Sequence, residues 1–182
     1  MLAETGRDQP HVEDSRKRFD KILGRAQSVI RALDEIVWAV DPRKDTLSSL
    51  ARYLAGFAEE YVFAAGLACR VEMPVCIPES HLVARVRHHL FLGVKETLNN
   101  AVRHAHASEV NFRIGVTGND LNIMITDNGC GFNPAEQKSG NGLINLSQRL
   151  AELSGRCEIN SRAGVGTTVS LILPLTQAPS SS

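Results

Sequence analysis

Apolar residues along this chain recur first with a helical period, then with a strand period, then with each in turn. Between Ser15 and Val40, Phe19, Ile22, Leu23, Ala26, Ile30, Leu33, Val37 and Val40 fall three and four residues apart. That spacing predicts one long amphipathic helix, ended by Asp41-Pro42. A face so broad needs cover, from a partner helix or from its own domain. Asp45-Thr46 read as the cap of a second helix, running from Leu47 to about Ala65 and stopped by Gly66. Leu50, Leu54, Phe57, Tyr61 and Ala64 would form its core face. Cys69 to Met73, followed by Pro74, reads as a short strand. A third helix is predicted from near Ser80 to His104, buried along Leu82, Val83, Val86, Leu90, Val94, Leu98 and Ala101.

After Ala107 the period drops to two. Val110, Phe112, Ile114 and Val116 alternate with polar residues, as do Leu121, Ile123 and Ile125. Thr117-Gly118-Asn119-Asp120 between them is a hairpin signal. A helix is expected from about Leu143 to Leu153, ended by Gly155. A last hairpin sets Arg156 to Ser161 against Thr167 to Leu173. These elements predict an α+β fold: a two-layer sandwich of about three helices on a largely antiparallel mixed sheet. A long amphipathic helix precedes it. The polar ends, 1–14 and 176–182, are expected to be disordered tails. Residues 15–42 would be a helical stem with its linker, and 45–175 the main domain.

The third helix carries polar residues in a pattern that suggests chemistry. Glu96, Asn100 and Arg103 sit four and then three residues apart, stacking a carboxylate, an amide and a guanidinium along one stripe. The stripe offers a proton acceptor, an oxygen ligand for a hard cation and a phosphate-binding charge; taken alone, it is equally a solvated face. Three glycine-rich pieces follow: Asp127-Asn128-Gly129-Cys130-Gly131-Phe132, Gly140-Asn141-Gly142-Leu143 and Gly164-Val165-Gly166-Thr167-Thr168. The first is either a nucleotide-base contact or an Asp-Asn-Gly turn. The second opens a helix, where free N–H groups and the helix dipole suit phosphate oxygens.

In this order, the polar stripe and the three glycine pieces resemble the N, G1, G2 and G3 boxes of the histidine-kinase/gyrase ATPase superfamily. The resemblance covers roughly Leu47 to Pro174 and implies the sandwich fold. Within the superfamily, Asn99-Asn100-Ala101-Val102-Arg103-His104 is most similar to sensor histidine kinases of the class that pairs with DNA-binding response regulators. Leu33 to Pro42 resembles the segment joining dimerisation helices to the ATP-binding domain in that class.

The resemblance implies ATP and Mg²⁺ as cofactors. Asp127 would accept from the adenine amino group, with Gly129 and Gly131 letting the purine approach. Gly140, Asn141, Gly142 and Leu143 would hold phosphates. Asn100 matches the Mg²⁺ ligand, Glu96 a general base or polar activator, Arg103 a phosphate contact and His104 a residue beside the nucleotide. Thr167 would support the pocket floor. Asn133 to Ser139 would be a short ATP lid, on which Lys138 is either a phosphate contact or a solvated lysine. Arg149 is expected to be an ion-pair residue.

Composition narrows the remaining choices. The 182 residues are 43% hydrophobic, with 20 acidic and 20 basic side chains and formal net charge zero. The chain can bury a real core, and bulk charge points to neither a nucleic-acid nor a membrane-surface partner. Cys69, Cys76, Cys130 and Cys157 form no Cys-x-x-Cys pair and suit reduced thiols in a cytoplasm. No apolar run reaches the eighteen or so residues of a membrane span. None of the six histidines is followed by Asp or Glu, the signature of a phosphoryl-accepting histidine in the family. The acceptor would therefore lie outside this chain, on a histidine-bearing dimerisation segment, with relay to a response regulator and homodimerisation through the N-terminal helix. An anti-sigma-factor-like serine kinase and a non-catalytic partner-binding module share the fold and are the alternatives. A gyrase-type ATPase would need a longer lid and a following domain.

Overall fold

The computed structural model describes residues 15–19, 21–26, 29, 33, 37–38, 41–133 and 141–175. The chain divides into two units, Met1–Val40 and Asp41–Ser182. In the first, every described residue is helical, and Phe19, Ile22, Leu23, Val29, Leu33 and Val37 are exposed. Ile30 and Val40 of the predicted stripe, and both predicted tails, lie outside the described residues.

The second unit is the α+β sandwich. Asp41 caps a 3-10 turn over Pro42–Lys44, accepting from the Arg43 N–H. Helix α1 spans Leu47–Ala64, and the Thr46 hydroxyl caps it by accepting from the Ser49 N–H at 3.2 Å. Its buried face is Leu47, Leu50, Ala51, Leu54, Ala55, Ala58 and Val62. That corrects the predicted stripe: Phe57 and Tyr61 are half-buried and Ala64 is exposed. The small alanines let α1 approach its neighbours closely, and the rings pack along its flank. Phe57 meets Phe91 edge-on with centroids 4.9 Å apart and stacks on Tyr61 at 5.5 Å.

Helix α2 spans Ala84–His104, four residues shorter at its start than the periodicity predicts. The preceding residues are committed elsewhere. The Leu47 N–H donates to the Ser80 carbonyl at 2.9 Å, and the Leu82 N–H to the Asp45 carbonyl at 2.7 Å. Thr46 and His81 face each other in an isolated antiparallel bridge. Leu82 is buried as expected, but Val83 is exposed. Arg87, only 1% exposed, donates to the carbonyls of Asp41 at 3.1 Å and Leu82 at 3.4 Å. A buried guanidinium must be hydrogen-bonded to offset its desolvation, so Arg87 ties the entry of this unit to the start of α2.

The strands are β1 (Ala68–Glu72), β2 (Glu109–Thr117), β3 (Asp120–Asp127), β4 (Arg156–Arg162) and β5 (Gly166–Pro174). They form one sheet in the order β1-β2-β3-β5-β4, with β1 parallel to β2 and the other pairs antiparallel. Gly118, at φ +62°, makes the tight β2–β3 turn that the sequence signals. Val110, Phe112, Ile114, Leu121, Ile123, Ile125, Val169, Leu171 and Leu173 are buried between sheet and helices. Helix α3 spans Asn141–Ala151 and buries Leu146 and Leu150. It crosses α2 at Gly93, where a Cβ would lie 2.6 Å from Leu146 Cδ1. The four cysteines are free. Burial pushes the Cys69 thiol up, with help from Glu59, and burial pushes Cys157 up against a hydrogen bond with Ser147. Neither is a thiolate at neutral pH.

Candidate functional site

Asp127 ends β3, opposite Thr167 at the start of β5. The residue is only 8% exposed. Oδ1 accepts from the Gly129 N–H at 3.0 Å, and Oδ2 makes no hydrogen bond among the described residues. That second oxygen is free to accept a hydrogen bond from a ligand.

The loop after Asp127 is fixed on both sides. Asn128 Oδ1 accepts from the N–H groups of Ser108 and Glu109, both at 3.0 Å, and its Nδ2 donates to the Ser108 hydroxyl at 2.9 Å. The Cys130 N–H donates to the Ala105 carbonyl at 2.7 Å, and the Cys130 carbonyl accepts from the Gly164 N–H at 2.6 Å. Thus Asn128 staples the loop to the start of β2, and Cys130 staples it to the end of α2 and to the β4–β5 turn.

The glycines act through packing. A Cβ on Gly129 would collide with the Ala105 carbonyl, one on Gly131 with the Arg162 carbonyl, and one on Gly166 with the Asp127 carbonyl. Gly131 and Gly166 also hold φ values of +56° and +122°. At Gly129 and Gly131 the close backbone contact builds the wall around Asp127.

Ser161 is a hub that sequence reasoning missed. Its hydroxyl accepts from the Phe132 N–H at 2.9 Å and donates to the Gly166 carbonyl at 3.2 Å. It also shares a hydrogen bond with the Thr167 hydroxyl at 2.9 Å. One side chain thereby joins the loop after β3 to the hairpin carrying Thr167, which gives Thr167 a supporting place beside Asp127. Nothing local in an alternating strand marks such a serine; the partners lie five to 29 residues away in sequence.

Helix α2 runs past this loop. Its C-terminal end meets it, with Cys130 Sγ 3.6 Å from the His104 carbonyl. His104 and Arg103 are exposed. Asn100 is half-buried, and its amide makes no hydrogen bond among the described residues. Further toward the helix start, a cavity of about 430 Å³ opens between α1, α2 and α3. Lys95, Glu96, Asn99, Arg103, Asn145 and Arg149 supply its polar lining, and Tyr61 closes one side. Of the predicted stripe, Glu96 and Arg103 line the cavity together with Asn99, and Asn100 is not among its lining residues. The Tyr61 hydroxyl donates to Asn99 Oδ1 at 3.2 Å, a contact across 38 residues. Arg149 makes no ion pair among the described residues and lines the cavity.

Helix α3 begins at Asn141, so the backbone of Asn141, Gly142 and Leu143 forms its first turn. The side chains of those three, together with Gly140 and residues 134–139 of the expected lid, including Lys138, lie outside the described residues.

This geometry meets known proteins at one place. Residues 86–177 match the family described as histidine kinase-, DNA gyrase B- and HSP90-like ATPase. The chain belongs to that family. Over 100 residues it is 33% identical to the sensor histidine kinase LiaS of Bacillus subtilis, covering 54% of this chain and 28% of that one. Over 88 residues it is 36% identical to the signal transduction histidine-protein kinase/phosphatase DegS of Brevibacillus brevis, covering 48% of this chain and 23% of that one. The chain thus spans roughly a quarter of the length of these curated relatives. Its fold resembles the histidine kinase domain of a blue-light activated kinase from Erythrobacter litoralis, with a TM-score of 0.63 and 22% identity. That match covers 81% of this chain and 73% of the other.

The family's nucleotide fits the residues present. Asp127 offers a buried acceptor, α3 offers N-terminal N–H groups, and Asn100 offers an uncommitted amide oxygen. No group of three or more His, Cys, Asp or Glu side chains able to hold a metal occurs among the described residues.

Proposed function

We propose that this chain is the ATP-binding catalytic part of a two-component sensor histidine kinase. The observation that carries the reading is Asp127, a nearly buried carboxylate with one oxygen committed to Gly129 and one left for a donor. Around it stand the staples and glycines that hold it in place. Asp127 would accept from the adenine amino group. The first turn of α3 would receive phosphates through its N–H groups. Asn100 would hold Mg²⁺, which neutralises phosphate charge when bound. Glu96, on the cavity wall, would take a proton or polarise the incoming group. Arg103, His104 and Thr167 complete the site, with Gly140 to Leu143 at the phosphates.

The phosphoryl acceptor is a histidine on a separate dimerisation segment, and the relay partner is a response regulator. The site of action is the cytoplasm, as the end of a larger sensor. Among the described residues no helix is long and apolar enough to cross a membrane. Calorimetry with Mg-ATP should give micromolar-to-millimolar binding. The purified chain should leave all six of its histidines unlabelled by γ-labelled ATP. Acid-labile label on any of them would overturn an external acceptor; acid-stable label on a serine of a partner would favour the serine-kinase alternative.

The N-terminal helix is proposed as the homodimer contact. Its exposed Phe19, Ile22, Leu23, Leu33 and Val37 are worth roughly 1.5–3 kcal/mol each when fully buried. That exceeds association costs of roughly 4–15 kcal/mol only if most are covered. Exchanging Ile22 and Leu33 for Glu should shift sedimentation at high concentration from dimer to monomer. A parent that sediments strictly as monomer would remove the dimer contact.

A further inference from the structure

The geometry points to Arg149, with Arg103 across the cavity, as the cationic pair that receives the terminal phosphate of a bound nucleoside triphosphate. This role rests on the nucleotide reading above and extends it to a residue outside the four boxes.

Helix α2 works as a ruler. The loop carrying Asp127 and Gly129 meets α2 at Ala105. Asn100 lies about 7 Å back along the helix from that contact, and Glu96 about 13 Å back, at 1.5 Å per residue. A nucleotide with its base at Asp127 and its first phosphates beside Asn100 therefore ends in the cavity bounded by Glu96 and Arg149, into which Arg103, its Cα only about 3 Å along the axis from the Ala105 contact, reaches through a side chain that leans toward the helix start. The cavity's charge suits that end. Lys95, Arg103 and Arg149 line it against the single carboxylate of Glu96, an excess of two positive charges in a chain whose net charge is zero. Arg103 and Arg149 make no ion pair among the described residues. Asn99, its Oδ1 occupied by Tyr61, keeps its Nδ2 as a donor.

Arg149 is also oriented for the task. Side chains on an α-helix lean toward its N-terminus, so Arg149 reaches back toward the turn where α3 opens. From Asn141 to Arg149 is about 12 Å along the axis. The helix start and Arg149 thus address different phosphates, the inner ones and the outermost one.

The test compares the β,γ-imido analogue of ATP with ADP, each with Mg²⁺, by calorimetry on the full chain and on Arg149→Met and Arg149→Lys. Arg149 is exposed, so both variants should keep the parent's urea midpoint. The expected result is a loss of about ten- to a hundredfold in affinity for the triphosphate analogue in Arg149→Met, the scale of one charged hydrogen bond. ADP binding should stay within about twofold, and Arg149→Lys should fall between. Equal losses for both nucleotides, or no loss for either, would overturn the role of Arg149 while leaving the nucleotide reading intact. A parent that binds neither nucleotide would overturn the nucleotide reading and this assignment with it.

Discussion

Gly166→Ala is expected to destabilise the chain by about 3–5 kcal/mol, through backbone strain and overpacking together. Gly166 opens β5 at φ +122°, a conformation L residues rarely adopt. Its missing side chain leaves room for the Asp127 carbonyl, which a Cβ would strike directly. Neither group can yield cheaply, because Asp127 pairs with Thr167 in the β3–β5 ladder and Gly166 with Arg162 in the β4–β5 ladder. Gly164 is the control two residues away. It sits at φ +79° with open space where a Cβ would go, so Gly164→Ala should cost only the backbone strain, about 1–2 kcal/mol. Urea denaturation of the two variants beside the parent would read the difference. If Gly166→Ala costs no more than Gly164→Ala, the packing contact with Asp127 does not matter. The surviving fraction of Gly166→Ala should also bind nucleotide poorly, since relieving the clash moves Asp127.

The elements of the sandwich were legible because they follow from period and punctuation. Alternation placed β2 and β3, Gly118 placed the turn between them, and Thr46 marked the start of α1. The start of α2 was not legible for a physical reason. Leu82 and Val83 fit the helical period, and periodicity counts only side chains. What decides their structure is the backbone pairing of Ser80 and Leu82 with Leu47 and Asp45, formed by residues more than thirty positions away. The core face of α1 was misread for a related reason. Large residues attract the eye, but close helix packing selects Ala51, Ala55 and Ala58 and leaves Phe57 and Tyr61 at the flank.

The same division holds at the site. Asp127, Asn100 and the glycine pieces stand out as residue types in fixed local patterns. Asn99, Ser161 and Arg149 do not, because each acquires its place from a partner distant in sequence: Tyr61 for Asn99, Phe132 for Ser161, and the α2 wall of the cavity for Arg149. The glycines show that a correct pattern can carry an incomplete reason. Gly129 is required by the Ala105 carbonyl behind it, so its presence follows from how the loop is packed.

Asp127→Asn is expected to weaken binding of Mg-ATP by about ten- to a hundredfold, or roughly 1–3 kcal/mol, while leaving the fold near parent stability. The two oxygens of Asp127 have separate duties, which makes this substitution selective. Oδ1 accepts from the Gly129 N–H at 3.0 Å, and the amide oxygen of Asn can do the same. The second position changes from an acceptor to an NH₂ donor, which faces the adenine amino group as donor against donor. Asp127→Ala would instead remove both contacts, and should lose stability along with binding because the Gly129 N–H is left unsatisfied in a buried place. The donor introduced by Asn suits a carbonyl, so the variant's preference for ATP over GTP should narrow as its ATP affinity falls. Calorimetry with both nucleotides, beside a urea titration of each variant, separates the outcomes. Parent-like ATP affinity in Asp127→Asn would mean that the carboxylate serves only the loop. A loss of binding matched by an equal loss of stability would mean that Asn cannot hold Gly129 as Asp does.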